Sequence, residues 1–128
     1  MRALLDAHAL LWYVRGDPRL PRQVANWIED SGNTGILSAV TAWEIIIKDA
    51  KGKLKLAPSA VASIENWARE MLLERLEIGF AHVYRVRDLP THHGDPFDRL
   101  LAAQALVERL PIITGDQTMN RYDVQTIW

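Results

Sequence analysis

The chain of 128 residues is 48% hydrophobic, which fits one globular domain with a single sizeable core and leaves no room for a second. A formal net charge of -1 and a pI of about 6.4 exclude the global electrostatic pull of a basic domain, so any polyanion must meet a local patch. Zero cysteines exclude disulfides, thiolate metal sites and a cysteine nucleophile, and suit a reducing, cytoplasmic interior.

From the amino terminus, Arg2–Leu5 is a short apolar run stopped by Asp6, and Ala7–Arg15 carries Leu10, Leu11 and Val14 at helical spacing. This opening is too short and too interrupted, by Asp6 and His8, for a membrane span, and it lacks a small-residue cleavage site. It reads as core strand and helix. Gly16-Asp17-Pro18 breaks the helix, and Pro21–Asp30 is a second amphipathic segment with Val24, Trp27 and Ile28 on one face. Gly35–Ser38 is the next strand, after which Thr41 is placed to cap a helix running through Trp43 and three isoleucines to about Ala50. Pro58 opens a longer helix with Val61, Ile64, Trp67, Ala68, Met71 and Leu72 in register, followed by "RLEIG", residues 75–79, as a strand. Ala81–Arg87 reads as a short helix, and the polar loop "DLPTHHG" leads to another from Pro96 to about Arg109. "LPIITG" is a fourth strand candidate, "DQTMNRY" one or two helical turns, and "DVQTIW" a closing edge strand. The alternation predicts a three-layer α/β/α fold around a mainly parallel sheet of about four to five strands, without repeat or linker.

In open α/β sheets the ligand crevice lies beyond the carboxyl ends of the strands. Asp6 follows "RALL", Asp116 follows "IITG", and "GILS" leads within six residues to Glu44. Glu44, flanked by Trp43 and three isoleucines, is expected to be partly buried, where a carboxylate needs a cation, a donor or a proton. "DPFDR" places two aspartates three apart at a helix start. Asp95 before Pro96 caps that helix, so Asp98 is spare, although the helix dipole favours it by ~0.3–1 kcal/mol. Each acid alone has a plain structural role. Asp6 and Asp116 suit helix caps, Asp98 a first-turn acid, and Glu44 an i,i+4 partner of Lys48 worth ~0.2–0.5 kcal/mol. Together they fall where one edge is expected, and gathered carboxylates repel unless some are protonated or a divalent cation lies among them. All-oxygen donors without cysteine select Mg²⁺ or Mn²⁺ over zinc.

Other features are weaker. In "KDAKGKLK", Lys48, Lys51, Lys53 and Lys55 crowd around the single acid Asp49, either as a phosphate-binding patch or as a solvated helix end. His92-His93 with Asp95, or Asp6 with His8, is a rival transition-metal site, but adjacent loop histidines point apart and no third imidazole has ligand spacing. His8 and His82 read as ordinary helix residues. No glycine-rich phosphate loop or G-x-S-x-G elbow is present, which argues against acyl transfer. Five tryptophans, with Trp12 and Trp27 on the first two helices, suggest either more apolar surface than one small core needs, and hence an interface, or ordinary core burial.

"LLDAHALLW", "SAVTAWEIIIK" with "GKLKL", "HHGDPFDRLLAAQA", and "PIITGD" through "VQTIW" resemble, in order and spacing, the PIN-domain toxins of VapC type. The resemblance spans essentially the full chain; a piece such as "TGD" is weak alone, but four blocks in order are specific. It implies a PIN fold, Mg²⁺- or Mn²⁺-dependent endoribonuclease activity, dimerisation, a prokaryotic cytoplasm and a cognate antitoxin. It also carries the family's acidic quartet onto Asp6, Glu44, Asp98 and Asp116, with Thr114 as the hydroxyl that would orient a ligand. Arg99 would contact substrate phosphate or brace its helix, and Lys48, Lys51 and Lys53 would guide RNA. Two positions depart from the family's pattern: Ala7, where Thr or Ser is frequent, and Gly115, where Ala or Arg is frequent. Two further readings keep the fold: a module that docks RNA or protein without cutting, and a nuclease acting on DNA.

Overall fold

A computed structural model describes residues 1–91 and 94–128. The candidate pair His92-His93 lies outside the described residues. Five strands, β1 (Arg2–Leu5), β2 (Thr34–Ser38), β3 (Glu74–Leu76), β4 (Ile112–Ile113) and β5 (Thr126–Ile127), pair in the order β3-β2-β1-β4-β5. Every pairing is parallel. Between them run α1 (Ala7–Arg15), α2 (Arg22–Glu29), α3 (Ala39–Ala50), α4 (Ala60–Glu70), α5 (Phe80–Val86), α6 (Pro96–Glu108) and a 3₁₀ turn at Gln117–Tyr122.

The strands are short apolar runs because a parallel sheet is covered on both faces. Register sets Leu4 beside Ile36 and Ile112, and these three face one layer, where Leu101, Ala102 and Ala105 of α6 join Met119 and Tyr122. Ala3, Leu5, Leu37 and Ile113 face the other layer, with Leu10 of α1, Val24 of α2, and Ile64 and Ala68 of α4. Helix α3 contributes Val40 to the first core and Ile45 to the second, so it crosses the carboxyl end of the sheet between the layers.

Several boundaries differ from the sequence reading. Ser38, not Thr41, caps α3: its Oγ accepts the Val40 N–H at 3.0 Å and donates to the Gln104 side chain. Thr41 lies inside the helix, where its hydroxyl donates to the Leu5 carbonyl at 2.9 Å. Ser59 caps α4, so Pro58 precedes that helix. Only Ile64 and Ala68 of the expected stripe are buried; Val61 is 58% exposed, and Leu72 is 83% exposed because the chain leaves the helix at Met71. Strand β3 ends at Leu76, and the next carbonyl, of Glu77, accepts instead from the Gln104 amide at 3.1 Å.

Candidate active site

The sheet order reverses at β1. The chain builds outward through β2 to β3 and then returns to lay β4 on the other side of β1. That reversal opens a crevice at the carboxyl ends of β1 and β4. Asp6 leaves β1 there, and Asp116 leaves β4 two residues past buried Thr114. Each acid caps the helical turn after it: Asp6 accepts the Ala9 N–H at 2.7 Å, and Asp116 Oδ1 accepts the Thr118 N–H at 2.9 Å and its hydroxyl at 2.7 Å. Thr114 ties the two together. Its Oγ1 accepts the Asp116 N–H at 3.0 Å, which leaves its one proton to donate to the Asp6 carboxylate. Burial raises the Asp6 carboxyl, and the bonds from Thr114 and Ala9 oppose that rise.

Helix α6 delivers the third acid. Asp95 Oδ1 caps it by accepting the Phe97 N–H at 2.9 Å and the Asp98 N–H at 3.3 Å, so Asp98 stands spare in the first turn. Burial, then the charges of Asp95, Glu44, Asp116 and Asp6, push the Asp98 carboxyl up to about 7. Glu44 comes from α3 and pairs with Lys48 at 2.8 Å. All four predicted acids therefore keep their plain structural roles and still face one cleft of about 230 Å³.

Asp95 joins those four in the cleft wall, which Lys48, Lys51 and Lys53 also line. Sequence reasoning gave Asp95 the cap of α6 and His8 an ordinary helix position, placing either at a site only in the disfavoured transition-metal alternative, yet both line the cleft. The shared cue was adjacency: both lie within three residues of a predicted acid. Of the basic segment, only Lys48 belongs to α3; Lys51 is its C-cap, and Lys53 lies in the turn beyond. Arg99 acts as the brace. Its Nη1 donates to the Pro90 carbonyl at 2.6 Å and its Nη2 to that of Val86 at 3.3 Å, away from the acids. Ala7 is buried at the cleft wall and offers no hydroxyl. Gly115 leaves room for the Trp128 indole, since a Cβ there would lie 2.7 Å from the ring.

The donor set fits a hard divalent cation in its chemistry. Every acid donor is a carboxylate oxygen, and burial, reinforced by the neighbouring carboxylates, pushes the Asp98 carboxyl up to about 7. Among the described residues, no three acidic or histidine side chains stand close enough together to hold an ion.

The sequence matches the PIN domain family over residues 3–125. This chain belongs to the PIN domain family. No curated protein sequence matches it. Solved structures match in fold. VapBC2 from Rickettsia felis bound to a promoter DNA fragment aligns with a TM-score of 0.74 at 16% identity, over 99% of this PIN domain and 98% of that chain. DNA-bound VapBC from Salmonella typhimurium gives 0.74 at 17% identity, over 99% and 97%. FitAcB from Neisseria gonorrhoeae gives 0.67 at 22% identity, over 100% and 97%. Among the described residues, no helix is long and apolar enough to cross a membrane.

Proposed function

We propose that this PIN domain is the toxin of a toxin–antitoxin pair and a Mg²⁺- or Mn²⁺-dependent endoribonuclease. The observation that carries the reading is the meeting of Asp6, Glu44, Asp98 and Asp116, from four separate elements, in one cleft that Lys48, Lys51 and Lys53 also line. The fold likeness to chains from VapBC and FitAcB structures supports the toxin assignment and a cognate antitoxin as partner.

Asp6, Asp98 and Asp116 would hold the ion. When bound, a divalent cation supplies charge compensation at the phosphate and lowers the cost of deprotonating a nucleophilic water. Glu44 orients that water, and the Lys48 ammonium fixes the Glu44 carboxylate for the task. Thr114 sets the Asp6 side chain through its hydroxyl, while Lys51 and Lys53 take flanking phosphates of the RNA backbone. A second copy of the chain covers the apolar surface of α5 and α3, where Phe80, Val83, Tyr84 and Trp43 are exposed.

The test is cleavage of tRNA, rRNA fragments and mRNA by purified protein in Mg²⁺, Mn²⁺ or EDTA, with Asp98→Asn alongside. Metal-dependent cutting that falls by about two orders of magnitude in the variant supports the reading. RNA binding without cutting under any metal moves the assignment to a binding module, and preferential cutting of DNA moves the substrate.

A further inference from the structure

Past Asp6 and Asp116 the acid cleft continues into a second cavity of about 480 Å³, within the range of small-molecule sites, whose outer wall is His8, Trp12, Arg19 and Trp128. The wall is ordered. The Trp12 and Trp128 rings lie 5.9 Å apart at 53°, and His8 meets Trp12 edge-on at 6.1 Å. The Arg19 guanidinium sits 4.5 Å above the Trp12 ring, within cation–π range. Asp17 fixes it there, accepting from Nη2 at 2.7 Å, from Nε at 3.1 Å and from the Arg19 backbone N–H at 2.9 Å. With its side chain 68% exposed, Arg19 keeps an open planar face.

Core packing does not account for these indoles. Trp27 and Trp67 pack against a core cluster, whereas among the described residues neither Trp12 nor Trp128 belongs to one. Trp128 is seated instead over Gly115, where a Cβ would strike its ring, and its backbone carbonyl accepts from the Gln23 amide at 3.3 Å. The backbone beside Asp116 is thus shaped to admit an aromatic ring at the edge of the acid cleft.

We propose that this wall is a nucleobase subsite, in which the base of a nucleotide next to the scissile phosphate stacks on the Trp128 indole beside the exposed Arg19 plane. The inference rests on the nuclease reading above and adds where the substrate's base goes. Indole and guanidinium faces are the surfaces on which unpaired bases stack, and every base has a face to offer. The subsite accordingly selects unpaired nucleotides, because a base inside a duplex has no free face to present.

The experiment is binding of a short, unstructured oligoribonucleotide to the full chain carrying Asp98→Asn, which keeps the RNA intact, followed by fluorescence anisotropy. Adding Trp128→Ala or, separately, Arg19→Ala is expected to weaken RNA binding by about tenfold. Inorganic polyphosphate, which carries charge and no base, should bind these variants as it binds the Asp98→Asn parent. Trp128→Phe should restore most of the RNA affinity. RNA affinity unchanged in both alanine variants, or RNA and polyphosphate weakened alike, overturns the subsite. If wild-type protein still cuts RNA with metal in that case, the nuclease reading stands without it. If nothing is cut and no RNA binds the parent, both fall.

Discussion

Asp98 carries the cost of the crowded cleft. Its carboxyl stands at about 7 in the folded chain, against an ordinary 3.8. Between those values the native state binds a proton that the unfolded chain releases. The resulting stability is fully present below about pH 4 and is lost as pH rises through 7, so the metal-free protein weakens on the alkaline side. Asp6, also raised by burial, acts in the same direction. Thermal unfolding in EDTA should show Asp98→Asn melting roughly 2–6 °C above wild type at pH 8, with the difference shrinking toward pH 4. Equal melting at pH 8 would remove Asp98 as the strained group. Gly115 makes a second prediction at this scale. Gly115→Ala drives a methyl into the Trp128 ring and should cost about 1–3 kcal/mol in denaturant unfolding. In a Trp128→Ala background the same change should cost little, and equal costs in both backgrounds would show that the two residues are uncoupled. The sequence marked Gly115 as a departure from the family's pattern; its compensating partner was invisible, because only the β4–β5 pairing brings the end of the chain over it.

Among the elements, the start of α6 was fully legible: Asp95 and Pro96 are a local code, and the cap bonds obey it. The start of α3 was not, because Ser38 and Thr41 are both capping residues and the choice is made by distant groups. Leu5 takes the Thr41 hydroxyl, and Gln104 takes that of Ser38. Ser38→Ala should therefore cost about 1–3 kcal/mol, the loss of a cap together with a buried partner left unpaired. Circular dichroism during urea unfolding measures it, and a cost near zero would mean that Gln104 finds another partner. Beyond the other end of α3, Lys51 and Lys53 line the cleft although the helix has stopped. If both contact phosphate, Lys51→Ala with Lys53→Ala lowers the salt slope of single-stranded RNA binding by about 1.4, at about 0.7 per contact. An unchanged slope would leave them merely solvated.

For the whole molecule, alternating strands and helices were enough to read a parallel sheet, but not its order. β4 and β5, two residues each, were still legible as strands and β5 as an edge, but the reversal that puts Leu5 opposite Ile113 is set by packing across the entire chain. Asp6 and Asp116 were found because strand ends are local features, and Glu44 and Asp98 because an acid in an apolar helix and a second acid at a helix start are. Only the sheet order explains why they share one edge. The tryptophans of the first two helices left an interface and core burial both open. Trp27 packs on the core, and Trp12 turns toward Trp128. One group of exposed apolar residues lies on α5, with Phe80 77% and Tyr84 68% exposed, and on α3, where Trp43 lines one groove with Val83. Phe80, Val83 and Tyr84 share a helical face, and a two-fold axis through such a face buries the same patch twice. Phe80→Ser with Tyr84→Lys should turn a dimer into a monomer in sedimentation velocity without changing the circular dichroism spectrum. Because both residues are already exposed in a single chain, the double variant should also leave monomer stability within about 0.5 kcal/mol per site. A wild-type protein that sediments as a monomer at every accessible concentration would remove the dimer and leave that face for the antitoxin.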